Sequence, residues 1–107
     1  MPRRKADPAI QEILALLEQT DDDLSVAAAA TIMTKIKDLE PSGIMNSKLP
    51  TVIGRRHNRA LKAYEDAVNE KKLDQLDISR KNTDRWAKIE EAMLALVAAH
   101  MELLTKH

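Results

Sequence analysis

The sequence has 107 residues, with 17 basic and 17 acidic side chains and no cysteine. This length favours a single domain over residues 1–107, and the balanced charge gives the whole chain no long-range attraction to nucleic acid or to an anionic membrane. The lack of cysteine excludes disulfides, thiolate catalysis and cysteine-ligated zinc. Apolar residues make up 44% of the chain, which is enough for a folded core and disfavours disorder.

The apolar residues are mostly small or aliphatic. There are 15 alanines and no phenylalanine, and Tyr64 and Trp86 are the only aromatic residues. Alanine favours helices that approach one another closely, but it buries little area, so a monomer would have a thin core. Contact with a partner would relieve this weakness.

The first twenty residues predict a basic arm and then a helix. Residues 1–6 include Arg3 and Arg4, and no apolar run follows them, so we expect a mobile arm and not a signal peptide. Asp7 can cap a helix, and Pro8 suits its first position. The apolar residues that follow lie on one face of a helix predicted over 8–19: Ile10, Ile13, Leu14 and Leu17.

A second helix is predicted over 22–40, because residues 20–23 offer side chains that accept from free N–H groups at a helix start. Pro41 and Gly43 end it. We expect segment 41–50 to be a loop between helices. Its apolar residues indicate that it packs against the rest of the chain or includes a short turn: Ile44, Met45 and Leu49.

The third helix is predicted over 50–72, with an apolar face made of Ile53, His57, Ala60, Leu61, Tyr64, Ala67 and Val68. A connector is then predicted around residues 73–78, where apolar and polar residues alternate irregularly. The fourth helix runs from there to the C-terminus. Its start stays open, because several residues can cap it: Asp77, Ser79, Asn82 and Thr83.

The stretch 83–106 carries two apolar seams with alternating spacings of three and four. The first seam consists of Trp86, Ile89, Met93, Leu96, His100 and Leu103, and the second of Leu94, Val97, Met101 and Leu104. The seams lie about a quarter turn apart, so two sides of the helix need cover. We therefore predict an all-α bundle of about four helices, with a long C-terminal helix whose second seam meets another subunit, chiefly at Val97 and Met101.

The basic stretch 48–62 contains no acidic residue. The cations of this stretch suit phosphate groups: Lys48, Arg55, Arg56, Arg59 and Lys62. The N-terminal arm can add Arg3 and Arg4. A solvated face, or salt bridges to acidic neighbours or to a protein partner, explains the same pattern. The scarcity of aromatic residues argues against recognition of single strands by base stacking.

Other motifs are weak. Residues 40–43 resemble the turn of a helix-turn-helix, but Pro50 would interrupt its recognition helix. We interpret His57 and His100 as hydrogen-bonded core or interface side chains, not ligands. Residues 21–23 are consecutive aspartates that point in different directions, so we expect neither a metal nor another cofactor.

The sequence does not predict an enzyme, because it has no phosphate-cradling glycine loop or nucleophile elbow, and Glu90 and Glu91 diverge around their helix. No apolar run is long enough to span a bilayer, and we expect a cytoplasmic protein. The predicted function is that of a small self-associating adaptor or inhibitor with an unknown protein partner. The alternative is a nucleic-acid-binding protein that uses residues 48–62, by analogy with small helical transcription regulators or subunits of phage DNA-packaging motors.

Overall fold

The computed structural model describes residues 8–105, and over this range the chain is an all-α fold with a long C-terminal helix, as predicted. It contains five helices, one more than the sequence predicts. They are α1 (Pro8–Gln19), α2 (Val26–Lys37), α3 (Pro41–Met45), α4 (Leu49–Asn69) and α5 (Leu73–Thr105). The predicted arm of residues 1–6 lies outside the described residues.

The start of α2 differs from the prediction. The bounds of α1 match those expected, but α2 begins at Val26 because Ser25 is its N-cap, and the Ser25 hydroxyl accepts a hydrogen bond from the N–H of Ala28 at 3.0 Å. The aspartates at 21–23 therefore belong to the α1–α2 connector. The helix also ends three residues earlier than predicted, at Lys37.

The predicted loop 41–50 contains the five-residue helix α3, and its last residues already belong to α4, which begins at Leu49. Pro41 occupies the first position of α3, where its missing N–H removes no hydrogen bond. Ile44 and Leu49 are fully buried. These two side chains anchor the segment to the core, which agrees with its apolar composition.

The predicted connector around residues 73–78 is the first part of α5, so this prediction was wrong. The chain turns instead at Lys71, whose φ of 55° lies in the left-handed region. The N–H of Lys72 donates to the carbonyl of Ala67 at 2.9 Å, and that of Lys71 donates to Val68 at 3.2 Å. This is the Schellman pattern of a helix end, which usually has glycine where Lys71 stands.

α4 and α5 form an antiparallel pair that is the centre of the fold. The hydroxyl of Thr83 donates to the carbonyl of Ala60 at 3.0 Å, and His57 lies opposite Glu90. α1 and α2 pack on one side of this pair, joined to each other by an ion pair between Glu12 and Lys35. The largest buried side chain is Trp86, and Ile89 and Met93 of the first seam are buried with it.

Side chains of α5 hold the backbone of the α1–α2 connector. The amide of Asn82 accepts from the N–H of Leu24 at 2.7 Å and donates to the carbonyl of Asp22 at 2.8 Å. The indole N–H of Trp86 donates to the same carbonyl at 2.9 Å, and Arg85 donates to the carbonyl of Leu24 at 3.0 Å. We call these three α5 residues the connector clamp. They provide partners for backbone groups that no helix satisfies.

Asn82 is the buried polar member of the clamp. It precedes Trp86 by four residues and Ile89 by seven, and this helical spacing places it on the core face of α5. Asn82→Ala leaves the N–H of buried Leu24 without its acceptor. We expect the free energy of unfolding, measured by urea denaturation, to fall by about 1–3 kcal/mol.

The matched control is Asn58→Ala, because Asn58 is an exposed asparagine within α4. Its substitution should change the free energy of unfolding by less than about 0.5 kcal/mol. Equal stabilities for the Asn82 and Asn58 variants would show that the clamp does not stabilise the connector.

Candidate functional site

Four cations of the stretch 48–62 form one exposed row on α4. Lys48 is the N-cap, and Arg55, Arg59 and Lys62 follow at helical spacings of seven, four and three. At 100° per residue the four positions lie within an arc of about 60°, centred roughly 130° around the helix from buried Ala60. All four side chains are exposed. We call this set the basic row.

The basic row is mostly free of acidic partners. Arg59 lies 3.4 Å from a carboxylate oxygen of Asp22, with 63% of its side chain exposed. Within residues 8–105, Lys48, Arg55 and Lys62 form no ion pair. The row therefore presents three unpaired cations and one weakly paired cation to solvent.

Arg56, which the sequence groups with these cations, is engaged within the fold. Its guanidinium donates to the carbonyls of Leu17, at 2.8 Å, and Thr20, so it satisfies backbone acceptors at the end of α1. It also lies over the ring of Trp86, 5.2 Å from the centroid. Its Nε is 2.9 Å from Asp22 Oδ1, an ionic contact without the angle of a hydrogen bond. Arg56 therefore does not belong to the exposed row.

His57 has a hydrogen-bonding partner, as the sequence predicts. Its Nδ1 lies 2.8 Å from Oε1 of Glu90, and both side chains are half-buried between α4 and α5. At Gly54, one turn earlier, a Cβ would lie 3.4 Å from Oε2 of Glu90, so this carboxylate packs in contact with the backbone of α4. The pair joins the two helices at the middle of their contact.

The second seam of α5 is only partly covered by the other helices. The seam lies on the same side of α5 as Thr83 and Glu90, which contact Ala60 and His57 of α4. These two contacts align the antiparallel helices so that Leu49, where α4 begins, lies level with roughly residue 96 of α5. Leu94, Met101 and Leu104 are 51%, 45% and 57% exposed. Val97, which the sequence favours as an interface residue, is half-buried against the core.

The first seam is also divided. Leu96 packs partly against the core, whereas Leu103 is exposed. Leu104 follows Trp86 by eighteen residues, which is five full turns, so it continues the direction of the buried tryptophan beyond the other helices. We call Leu94, Val97, Met101 and Leu104 the α5 stripe.

A second apolar surface lies at the turn between α4 and α5. The sequence assigns Leu61 and Val68 to the core face of α4, but both are exposed, as are Leu73 and Ile78. A shallow groove of about 310 Å³ beside them is lined by Tyr64, Val68, Leu76, Asp77 and Arg80. Hydrogen bonds from Lys81 and Arg80 hold the pKa of Asp77 below its ordinary value.

Two further observations limit the site. Arg3 and Arg4 lie outside the described residues. Over residues 8–105, no three histidine, aspartate or glutamate side chains converge as metal ligands, and no helix combines the length and the apolar character needed to cross a bilayer.

Comparisons with protein-family models, with curated proteins and with solved structures found no match to this chain.

The adjacent residues Arg55 and Arg56 provide a test of the assignment of Arg55 to the exposed row and of Arg56 to the interior contacts. Arg56→Gln removes the cation from the face of Trp86 and from the end of α1. We expect the free energy of unfolding to fall by about 1–3 kcal/mol in urea denaturation. Arg55→Gln, in the exposed row, should change it by less than about 0.5 kcal/mol. The opposite order of effects would exchange the structural and surface roles of the two residues.

Proposed function

We propose that this protein is a small, non-enzymatic interaction protein that self-associates through the α5 stripe and acts as an adaptor or inhibitor by surface recognition. The observation that supports the proposal is the exposure of Leu94, Met101 and Leu104 on a stripe whose earlier turns face α4. Apolar side chains at heptad spacing are typical of a helix that lies along another helix. Within residues 8–105 the short helix α3 also packs on α5, but it has only five residues and these three side chains stay about half exposed.

A second copy of the chain fits the spacing of the α5 stripe. Its residues follow one another at intervals of three, four and three, which read the same in both directions. Two α5 helices related by a two-fold axis would therefore place Leu94 opposite Leu104 of the other copy, and Val97 opposite Met101. Such a self-complementary patch is what an isologous dimer interface requires.

The expected affinity of this contact is moderate. A fully buried Leu or Met side chain contributes about 1.5–3 kcal/mol, and these side chains are already half-covered, so each contributes about half of that amount. Eight such residues give roughly 6–12 kcal/mol before the loss of translational and rotational freedom is subtracted. With the smallest cost of association, about 4 kcal/mol, at most about 8 kcal/mol remains, so a micromolar dissociation constant is the tightest that this contact supports.

Nucleic-acid binding is the second candidate function. The specific observation that favours it is the set of unpaired cations in the basic row. This function uses a different surface from the α5 stripe, so one protein can perform both.

The test of self-association is Met101→Glu. A carboxylate in the centre of an apolar interface would have to lose its water, so we expect the mass measured by light scattering at ~100 μM to fall to that of a monomer. The helical circular dichroism should persist, because Met101 is 45% exposed in the single chain. Met101 is a better position for this test than Val97, whose partial burial would mix folding with association.

The matched control is Val68→Glu. Val68 is 47% exposed, close to the value for Met101, but it lies at the α4–α5 turn. Its substitution should leave the mass unchanged. If Val68→Glu dissociates the protein and Met101→Glu does not, association uses the turn surface. A wild-type chain that is monomeric at ~100 μM would contradict self-association itself.

A further inference from the structure

The basic row brings four exposed cations onto one edge of α4, and three of them have no ion pair within residues 8–105. Lys35 pairs with Glu12, and Arg80 and Lys81 share Asp77. By contrast, Lys48, Arg55 and Lys62 are exposed and have no carboxylate partner among the described residues, and the stretch of 15 residues that holds them contains no acid. A protein with zero net charge thus carries a local line of positive charge on one helix.

We infer, on the basis of the second candidate function proposed above, that the basic row is a docking surface for the sugar–phosphate backbone of duplex nucleic acid. Residues 48–62 span about 21 Å along α4, at 1.5 Å per residue. A duplex carries a phosphate about every 3.4 Å along each strand, so roughly six phosphates of one strand lie within that length. Four cations on one straight edge can therefore neutralise several phosphates together.

The composition around the row favours a duplex over the other polyanions. Single strands are usually held by aromatic side chains on which bases stack, and the only aromatic residue of α4, Tyr64, is half-buried on another side of the helix. A peripheral membrane helix combines cations with apolar side chains that enter the lipid. The exposed α4 residues beside this row are Thr51, Asn58 and Ala63, and Asp66 follows Lys62 by one turn; none of them provides such an apolar anchor.

The fold leaves the row accessible. Asp22 is the only described acid that contacts it, and the shorter contact of Asp22 is with Arg56, at 2.9 Å against 3.4 Å for Arg59. A phosphate can replace this weak contact of Arg59 while the Arg56 contact stays in place. The inference does not depend on self-association, because the row and the α5 stripe share no residue.

The experiment measures the affinity of the full chain for a duplex DNA of mixed sequence as a function of salt. Four neutralised phosphates give a slope of log K against log salt of about −3.6, or roughly 150-fold weaker binding between 50 and 200 mM salt. The variant Arg55→Gln with Lys62→Gln should reduce the slope by about two, so the same change in salt weakens binding only roughly 12-fold.

The control variant is Lys37→Gln with Lys88→Gln. It removes two exposed positive charges outside the row that form no ion pair within the part of the chain that the structure describes. This variant should keep the wild-type slope, and circular dichroism should show that both variants are folded. Met101→Glu, tested in parallel, separates the two proposals, because a monomer should still bind through its own row.

Three results would overturn the inference. The first is no detectable binding of the wild type at ~50 mM salt, where phosphate contacts are strongest. The second is an equal loss of slope in the row variant and the control variant, which would indicate general charge and not this row. The third is tighter binding to phosphatidylserine vesicles or to single-stranded DNA than to the duplex.

Discussion

The structure depends on how the short connector between α1 and α2 obtains its hydrogen bonds. Residues 20–25 form no helix, yet Leu24 is buried, so the backbone groups nearby need partners from elsewhere. Asn82 and Trp86 provide them from α5, and Arg56 provides them from α4. One small polar cluster therefore attaches the N-terminal helices to the central pair. Packing of alanine-rich helices alone would leave their position weakly determined, because alanine buries little area.

This attachment explains why the α5 stripe and the apolar surface at the α4–α5 turn stay exposed. The clamp fixes α1 and α2 to one side of the α4–α5 pair, and α5 has 33 residues against 21 in α4. The longer helix must therefore extend beyond the shorter one at the turn, at its C-terminal end, or at both. Because the register places α4 against the first two-thirds of α5, the excess falls at the C-terminal end, where Met101 and Leu104 are exposed; Leu94, level with the first turn of α4, is exposed as well.

The helical content, the apolar faces and the long last helix follow from periodicity, which is why the sequence predicts them. The errors come from features that periodicity does not report. Lys71 adopts a left-handed conformation usual for glycine, so nothing marked it as the turn, and the start of α5 was placed too late. Leu61 and Val68 have the spacing of core residues, but no helix covers them, since the clamp holds α1 and α2 elsewhere.

The basic stretch shows the same limit at the level of single residues. Arg55 and Arg56 are neighbours with identical chemistry, and only the tertiary structure separates them: one is exposed, and the other caps α1 over the ring of Trp86. Arg56 also contacts Asp22, the only acid for which the described residues show an ion pair with the row. The interaction that orders the connector thus keeps a carboxylate from neutralising the row completely. In this chain, the fold and the candidate binding surface are linked through that shared aspartate.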